Sequence, residues 1–283
     1  MEVTRTPAAT MEACDDARAG GRSVGLVPTM GALHEGHASL IHRARQERDV
    51  VVASIFVNPL QFGDPDDLRR YPREEHRDLE LARDLGVDLV FAPGVEDMYP
   101  AGDPELTVDP GPLGARLEGA SRPGHLRGVA TVVAKLFHAV GSCHAYFGEK
   151  DAQQLAVIRR MVRDLSFPVE VVACPTVREA DGLAMSSRNA LLTPAQRDAA
   201  GCLFLALSEA AELARAGERD AARLVAAMAR EIGGTSEARL HYAAVVDEET
   251  FEEVRLVEGP ARALVAASFG GVRLIDNLRL PRP

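Results

Sequence analysis

The chain is poor in lysine, has few cysteines and contains no long apolar run. Cys14, Cys143, Cys174 and Cys202 are scattered through 283 residues with no C-x-x-C pair. Four reduced structural thiols in a cytoplasmic protein are therefore expected. No stretch approaches the roughly 20 apolar residues of a membrane span, and the first residues lack a basic-then-apolar leader pattern. A basic surface is missing as well. The formal net charge of −10 argues against a general nucleic-acid or anionic-membrane partner. It does not exclude an anionic ligand, because a local cluster of donors can hold phosphate in an acidic protein. No internal repeat, low-complexity tract or heptad run is found.

Of the 32 basic residues only Lys135 and Lys150 are lysines. An arginine bias in the encoding genome would produce this scarcity, yet each lysine retained in that background raises the question of whether arginine would fit there. Otherwise 46% hydrophobic and 26% charged residues are ordinary for a globular chain.

Short apolar runs at 24–27, 50–57, 87–92, 144–148 and 168–173 alternate with helix-like segments near 37–48, 74–86, 126–140 and 151–164. Such alternation predicts an α/β fold, a Rossmann-like doubly wound five-stranded parallel sheet. Residues 1–20 read as an approach with a short helix. The polar, proline-punctuated segments 58–73 and 93–125 are longer than a compact domain needs, so they read as functional loops or surface insertions. After Pro175 the character changes. Thr193-Pro194 has the form of a helix start, Ala-rich helices run to about 232, and strand-like runs follow at 240–246, 262–268 and 272–278. The expected division is 1–176, a Rossmann-like ligand-binding domain, and 177–283, a smaller C-terminal α+β domain.

Ligands of doubly wound folds lie at the carboxyl ends of the strands. Three polar segments follow predicted strands directly: Pro28–His37, Asn58–Gln61 and Phe147–Asp151. In the first, His34-Glu35-Gly36-His37 falls where a helix should begin. Gly36 lets a ligand approach the backbone, and free N–H groups there favour an anion. Zinc sites of the H-E-x-x-H type space their histidines four apart; here the spacing is three. Phosphate contact, structural histidines and metal ligation all remain readings of this turn. In Phe147-Gly148-Glu149-Lys150-Asp151, Gly148 permits close approach, Lys150 supplies a point charge and Asp151 could accept from ribose hydroxyls. A solvated turn with Asp151 as helix cap is the alternative. Met185-Ser186-Ser187-Arg188 sets two hydroxyls beside a guanidinium, suiting a polyphosphate or an ordinary polar loop.

A His-x-Gly-His turn in the first βα unit with a Met-Ser-Ser-Arg loop after the sheet resembles the nucleotidyltransferase superfamily that includes class I aminoacyl-tRNA synthetases. More narrowly, the chain resembles the pantothenate synthetase (pantoate–β-alanine ligase) family. The resemblance is carried by Val27-Pro28-Thr29-Met30-Gly31, Phe56-Val57-Asn58-Pro59-Leu60-Gln61-Phe62, Arg70-Tyr71-Pro72-Arg73, Arg122-Pro123-Gly124-His125, Phe147–Gln154 and Arg178–Asn189. It implies an ATP-dependent ligase that joins (R)-pantoate to β-alanine through a pantoyl adenylate, releasing AMP and pyrophosphate, in vitamin B5 and coenzyme A synthesis.

By that resemblance His34 and His37 contact ATP phosphates, with His37 the proton donor. Lys150, Ser186, Ser187 and Arg188 grip the phosphates, and His34, His37, Lys150 and Arg188 form the catalytic set. Met30, Gly31, Gly36, Gly148, Glu149 and Asp151 bind the nucleotide, with Val177 and Met185 along the adenosine. Gln61 and Gln154 bind pantoate, beside Pro28, Met30 and Phe56. The segment 177–189 is expected to close over ATP, making the C-terminal domain a lid, and a homodimer is implied. The sequence departs from the family at His76-Arg77-Asp78, where adjacent acidic residues are common. Asp78 is left as a possible Mg²⁺ ligand through water, with the ion held chiefly by phosphates. A transferase using a phosphorylated acceptor would need a basic pocket in place of Gln61 and Gln154. A silent nucleotide-binding scaffold would be expected to have lost phosphate residues, and none is lost.

Overall fold

Alternate residues of a strand point to opposite faces of its sheet, and the apolar runs of this chain are apolar on both. In the computed structural model, which describes residues 1–281, they form six strands: β1 (Glu2–Thr4), β2 (Val24–Thr29), β3 (Val50–Ile55), β4 (Leu89–Phe91), β5 (Cys143–Gly148) and β6 (Val169–Cys174). The sheet is parallel, in the order β1-β4-β3-β2-β5-β6. Val24, Leu26, Val50, Val52, Phe91 and Ala145 share one core with the helices Pro7–Ala19 and His125–Val140. Val27, Val51, Ala53, Val90 and Tyr146 pack instead with the helices Glu35–Glu47 and Glu75–Asp84. The sheet is thus covered on both faces, as the alternation predicts.

The expectation of five strands needs correcting to six. Glu2–Thr4 pairs in parallel with β4 at the sheet edge. Three residues with one buried side chain are too short to show a period, so sequence alone reads them as part of the approach. The two long connections are not structureless. They carry the short helices Pro65–Arg70, Val95–Met98 and Glu118–Ser121 and the 3₁₀ turns Pro59–Gln61 and Gly111–Ala115.

Two compact units make up the chain. Met1–Glu149 with Gln153–Pro175 forms the first, while Lys150–Ala152 groups with Thr176–Pro283 in the second. The second unit has an antiparallel sheet of β7 (Ala238–Asp247), β8 (Ala261–Phe269) and β9 (Val272–Arg279), with β8 central. Val245, Ala263, Val265 and Phe269 pack against Leu203, Leu207, Leu224 and Met228 of the helices Cys202–Arg215 and Ala221–Gly233. Thr193 caps the helix Pro194–Ala200 reciprocally with Gln196. All four cysteines are free and buried. Burial pushes the Cys14 and Cys174 thiols up to about 11 and that of Cys143 to about 12, so they remain protonated packing groups.

The turn at the end of β2 is fixed from two directions. The Thr29 hydroxyl donates to the Ser54 carbonyl at 2.6 Å and accepts the Gly31 N–H at 3.1 Å. Gly31 adopts φ +82°, and a Cβ there would lie 2.8 Å from Asp78 Oδ2. Asp78, only 2% exposed, accepts the Ala32 N–H at 2.8 Å and the Leu33 N–H at 2.7 Å. The residue left by sequence as a possible metal ligand thus has both carboxylate oxygens engaged in holding this turn. Its neighbour Arg77 points to Glu74.

Stability measurements can check these contacts at two positions. Gly128 lies inside the helix His125–Val140, where alanine would gain roughly 1 kcal/mol of helix propensity. A Cβ there would meet the Leu60 carbonyl oxygen at 2.3 Å and the Gln61 nitrogen at 2.7 Å. Gly128→Ala should therefore destabilise the protein by about 1–3 kcal/mol in urea unfolding, the overlap outweighing the propensity. The second position is Asp78, whose carboxyl is raised by burial against the opposing pull of the Leu33 and Ala32 N–H groups. A carboxyl raised in the fold contributes stability below its ordinary 3.8 that is lost as pH climbs through the folded value. Wild-type stability measured against Asp78→Asn should accordingly fall as pH rises from 3.8. A flat or rising difference would contradict this account.

Candidate active site

Strands β3 and β4 extend the sheet on one side of β2, and β5 and β6 on the other. The order of strand addition therefore reverses between β2 and β5, the place where doubly wound sheets bind ligands at their carboxyl ends. The turn after β2 and Gly148 at the end of β5 both lie at such ends. A Cβ built on Gly148 would meet nothing within 4 Å, so the backbone is open to close approach.

His34 and His37 both cap the helix Glu35–Glu47. His34 Nδ1 accepts the Gly36 N–H at 3.1 Å, and His37 Nδ1 accepts the His34 N–H at 3.4 Å. These are the places a serine and a glutamate fill in an ordinary capping box. With Nδ1 accepting on each ring, the proton of the neutral imidazole sits on Nε2. The ring centroids are 4.1 Å apart. Two Nε2–H donors are thereby fixed beside the positive end of a 13-residue helix. Structural and functional readings of the histidines are compatible, because each ring nitrogen has its own task.

Phe56 and Gln61, two of the residues expected to bind pantoate, lie next to this turn. Phe56 N–H donates to the Thr29 carbonyl at 3.2 Å, and Gln61 Nε2 lies 2.8 Å from the Met30 sulfur. Gln61, itself buried, has its oxygen bonded by Asn58 Nδ2 at 3.2 Å. Asn58, 1% exposed, also donates to the Gly128 carbonyl at 3.1 Å and accepts from the Tyr99 hydroxyl at 2.8 Å. The His125 ring lies 2.9 Å from the Gln61 carbonyl and 3.0 Å from an Arg122 nitrogen. Pro28 is half-buried in β2, and Gln154 is half-buried in the first turn of the helix Ala152–Asp164.

Asn58, Tyr99 and His125 are the polar supports that a reading of candidate ligands alone misses. Asn58-Pro59 did carry a signal, the same cap-and-proline form as Thr193-Pro194. Tyr99 carried none, being 41 positions from the residue it supports. Gln153, beside Gln154, is likewise a support. Its amide accepts the Glu118 N–H and donates to the Leu113 and Arg116 carbonyls.

The second unit holds the remaining candidates except Glu149. Lys150, its side chain one-fifth exposed, lies 3.8 Å from Asp151; Glu149 is half-buried at the end of the first unit's β5 turn. Residues 177–185 form a tight hairpin. Arg178 bridges to Ala184, and Met185 N–H donates to the Val177 carbonyl at 3.0 Å, so Val177 and Met185 sit side by side. Ser186 then caps the 3₁₀ turn Ser187–Leu191 by accepting the Arg188 N–H at 3.3 Å. Asn189 ties the hairpin off by donating to Glu179 and to the Ala184 carbonyl. Among the described residues no group of three or more His, Cys, Asp or Glu could hold a metal ion, and no helix is long and apolar enough to cross a membrane.

Comparison with known proteins identifies the family. The family model for pantoate-β-alanine ligase matches residues 2–279. A pantothenate synthetase of Moorella thermoacetica is 54% identical over 280 residues, covering 99% of both chains. The crystal structure of pantothenate synthetase from Thermus thermophilus superposes with a TM-score of 0.92 at 50% identity, over 99% of this chain and all of that one. A pantoate-β-alanine ligase from Francisella tularensis, solved with β-γ ATP and β-alanine, has a TM-score of 0.80 at 34% identity, over 99% of this chain and 97% of its own. With the match running nearly end to end, the chain belongs to the pantoate–β-alanine ligase family.

Proposed function

We propose that this chain carries out its family's ligation of pantoate to β-alanine in two steps, through a pantoyl adenylate. The paired capping histidines carry this reading: a fixed pair of Nε2–H donors at a helix start suits an anion whose charge grows during reaction. The pantoate carboxylate is ionised at neutral pH, so the first step requires no protein nucleophile. It attacks the α-phosphorus of ATP, an acyl–phosphate bond forms as the α–β bridge breaks, and pyrophosphate leaves. The β-alanine amine, in its uncharged form, then attacks the acyl carbon. A C–N bond forms as the acyl–oxygen bond to AMP breaks, and the amine's proton passes to water. Both steps depend on alignment and charge stabilisation, and the residues present are of that kind.

In this reading His34 and His37 bond phosphate oxygens through Nε2–H. His37 serves as proton donor to the departing pyrophosphate only as the imidazolium, with its Nδ1 released from the His34 N–H. Lys150 and Arg188 neutralise the departing phosphates and Ser186 and Ser187 hydrogen-bond them, while Gly148 and Asp151 hold the ribose, with Glu149 beside the nucleotide. Gly31 and Gly36 give the nucleotide room at the turn, and the Val177–Met185 pair flanks the adenosine. Gln61 and Gln154 orient the pantoate with Pro28, Met30 and Phe56 against its methyl groups. Neutral amides suit this task because they align a carboxylate without quenching it as a nucleophile. Mg²⁺ enters as MgATP, held by phosphates and water, as its reluctance to dehydrate allows. A cytoplasmic homodimer completes the reading.

The test is product analysis. AMP and pyrophosphate should form, and net pantothenate should require both pantoate and β-alanine; ADP and phosphate instead would refute the adenylate. His37→Ala and Lys150→Ala should each slow adenylation by roughly 10²–10³-fold, the usual cost of one preorganised donor. Wild-type rates in both would remove them from the catalytic set.

A further inference from the structure

Strand β9 carries two adjacent buried polar residues, Asp276 and Asn277, at positions where apolar side chains would serve a core. Successive strand residues point to opposite faces. Asp276 lies opposite Val265 and Asn277 opposite Leu264 on β8. Each is bonded to a segment that the proposed function assigns to ATP.

Asp276 takes Arg178 as a bidentate pair, with Nη1 at 2.6 Å and Nη2 at 3.0 Å. Arg178 Nη1 also donates to the Gly182 carbonyl at 2.9 Å, and the guanidinium stacks 4.5 Å from the Phe204 ring centre. Arg178 is the residue whose bridge to Ala184 closes the hairpin leading into Met185–Arg188. Asp276 Oδ1 further accepts the Asn277 N–H at 2.7 Å. On the other face Asn277 Oδ1 accepts from Arg262, itself 4% exposed and paired with Glu248 at 2.7 Å. Asn277 Nδ2 donates to the Lys150 carbonyl at 2.8 Å, across 127 positions of chain. This amide cannot be flipped. Arginine only donates, so the amide oxygen must face Arg262 and the NH₂ must face Lys150.

A buried ion pair is an inefficient way to stabilise a core, since apolar residues of similar volume do as well or better. Its geometric specificity is what an apolar pair could not supply. We propose that Asp276 and Asn277 are positioning residues for ATP: one fixes the Ser186–Arg188 loop through Arg178, the other fixes Lys150 through its carbonyl. The inference rests on the assignment of Lys150 and that loop to the phosphates. It makes the last strand the common anchor of two cationic elements far apart in sequence.

The experiment is pantoate-dependent ATP–pyrophosphate exchange with Asn277→Asp, which still accepts from Arg262 but sets an oxygen against the Lys150 carbonyl. Exchange should fall about 10–100-fold, as small misplacements of a reacting group do, with KM for ATP raised and KM for pantoate unchanged. In a Lys150→Met background the same substitution should add no more than about twofold, because the group it positions is already gone. Asn277→Ala, which buries no new charge, should show the same pattern if the first variant folds poorly. Asp276→Asn should behave likewise and lose its effect in an Arg188→Ala background. Exchange at the wild-type level in both Asn277 variants would overturn the inference. So would a loss that persists undiminished in Lys150→Met or that raises both KM values together, the mark of a general folding defect. Wild-type exchange in Lys150→Met alone would locate the failure in the assignment of Lys150 beneath it.

Discussion

Strand β2 is hydrogen-bonded on both flanks, to β3 and to β5, and the sheet grows outward in opposite directions from that pair. Its carboxyl end cannot extend as sheet, so the chain must turn there, and the turn must find partners for its own N–H groups. The Thr29 hydroxyl and the Asp78 carboxylate supply them. Gly31 permits the carboxylate to come close enough, and the helix Glu35–Glu47 starts at once. The histidines are therefore held by sheet topology and by a carboxylate from another helix, before any ligand is considered.

One arrangement recurs through the candidate site. Groups that could touch a substrate are held by groups that do no chemistry themselves. Each capping histidine uses Nδ1 for structure and keeps its proton on Nε2. Gln61 is oriented by Asn58, and Asn58 is oriented by Tyr99. Lys150 is held at its carbonyl, which leaves the ammonium able to serve as a charge. Such supports are buried and satisfied, so their bonds are strong and their geometry is reproducible. The net charge of −10 is no obstacle to the proposed function, because the cations it assigns to ATP are placed singly rather than spread over a surface.

How much of this was legible in the sequence differs between the sheet and the site. Apolar runs of four to eight residues alternating with amphipathic segments marked β2 to β6 and the helices between them, because burial on two faces writes itself into local composition. Thr193-Pro194 was equally plain, since a cap and its helix are neighbours in sequence. β1 was not legible: three residues at an edge owe their strand to β4, which lies more than 80 positions away. The family was readable because its blocks combine a distinctive turn with a distinctive loop, and motif order is a property of the chain alone.

The sequence by itself determined which polar side chains follow the strands, and the alternating period that makes the sheet. Only tertiary structure decided what holds them. The family resemblance left Asp78 as a possible metal ligand through water; the fold adds that its two oxygens hold the turn. The partners of Asn58, Asn277 and Arg178 lie 41, 127 and 98 positions away. A hydrogen bond depends on distance in space, and no local pattern of residues records a contact that the chain reaches only after it has folded.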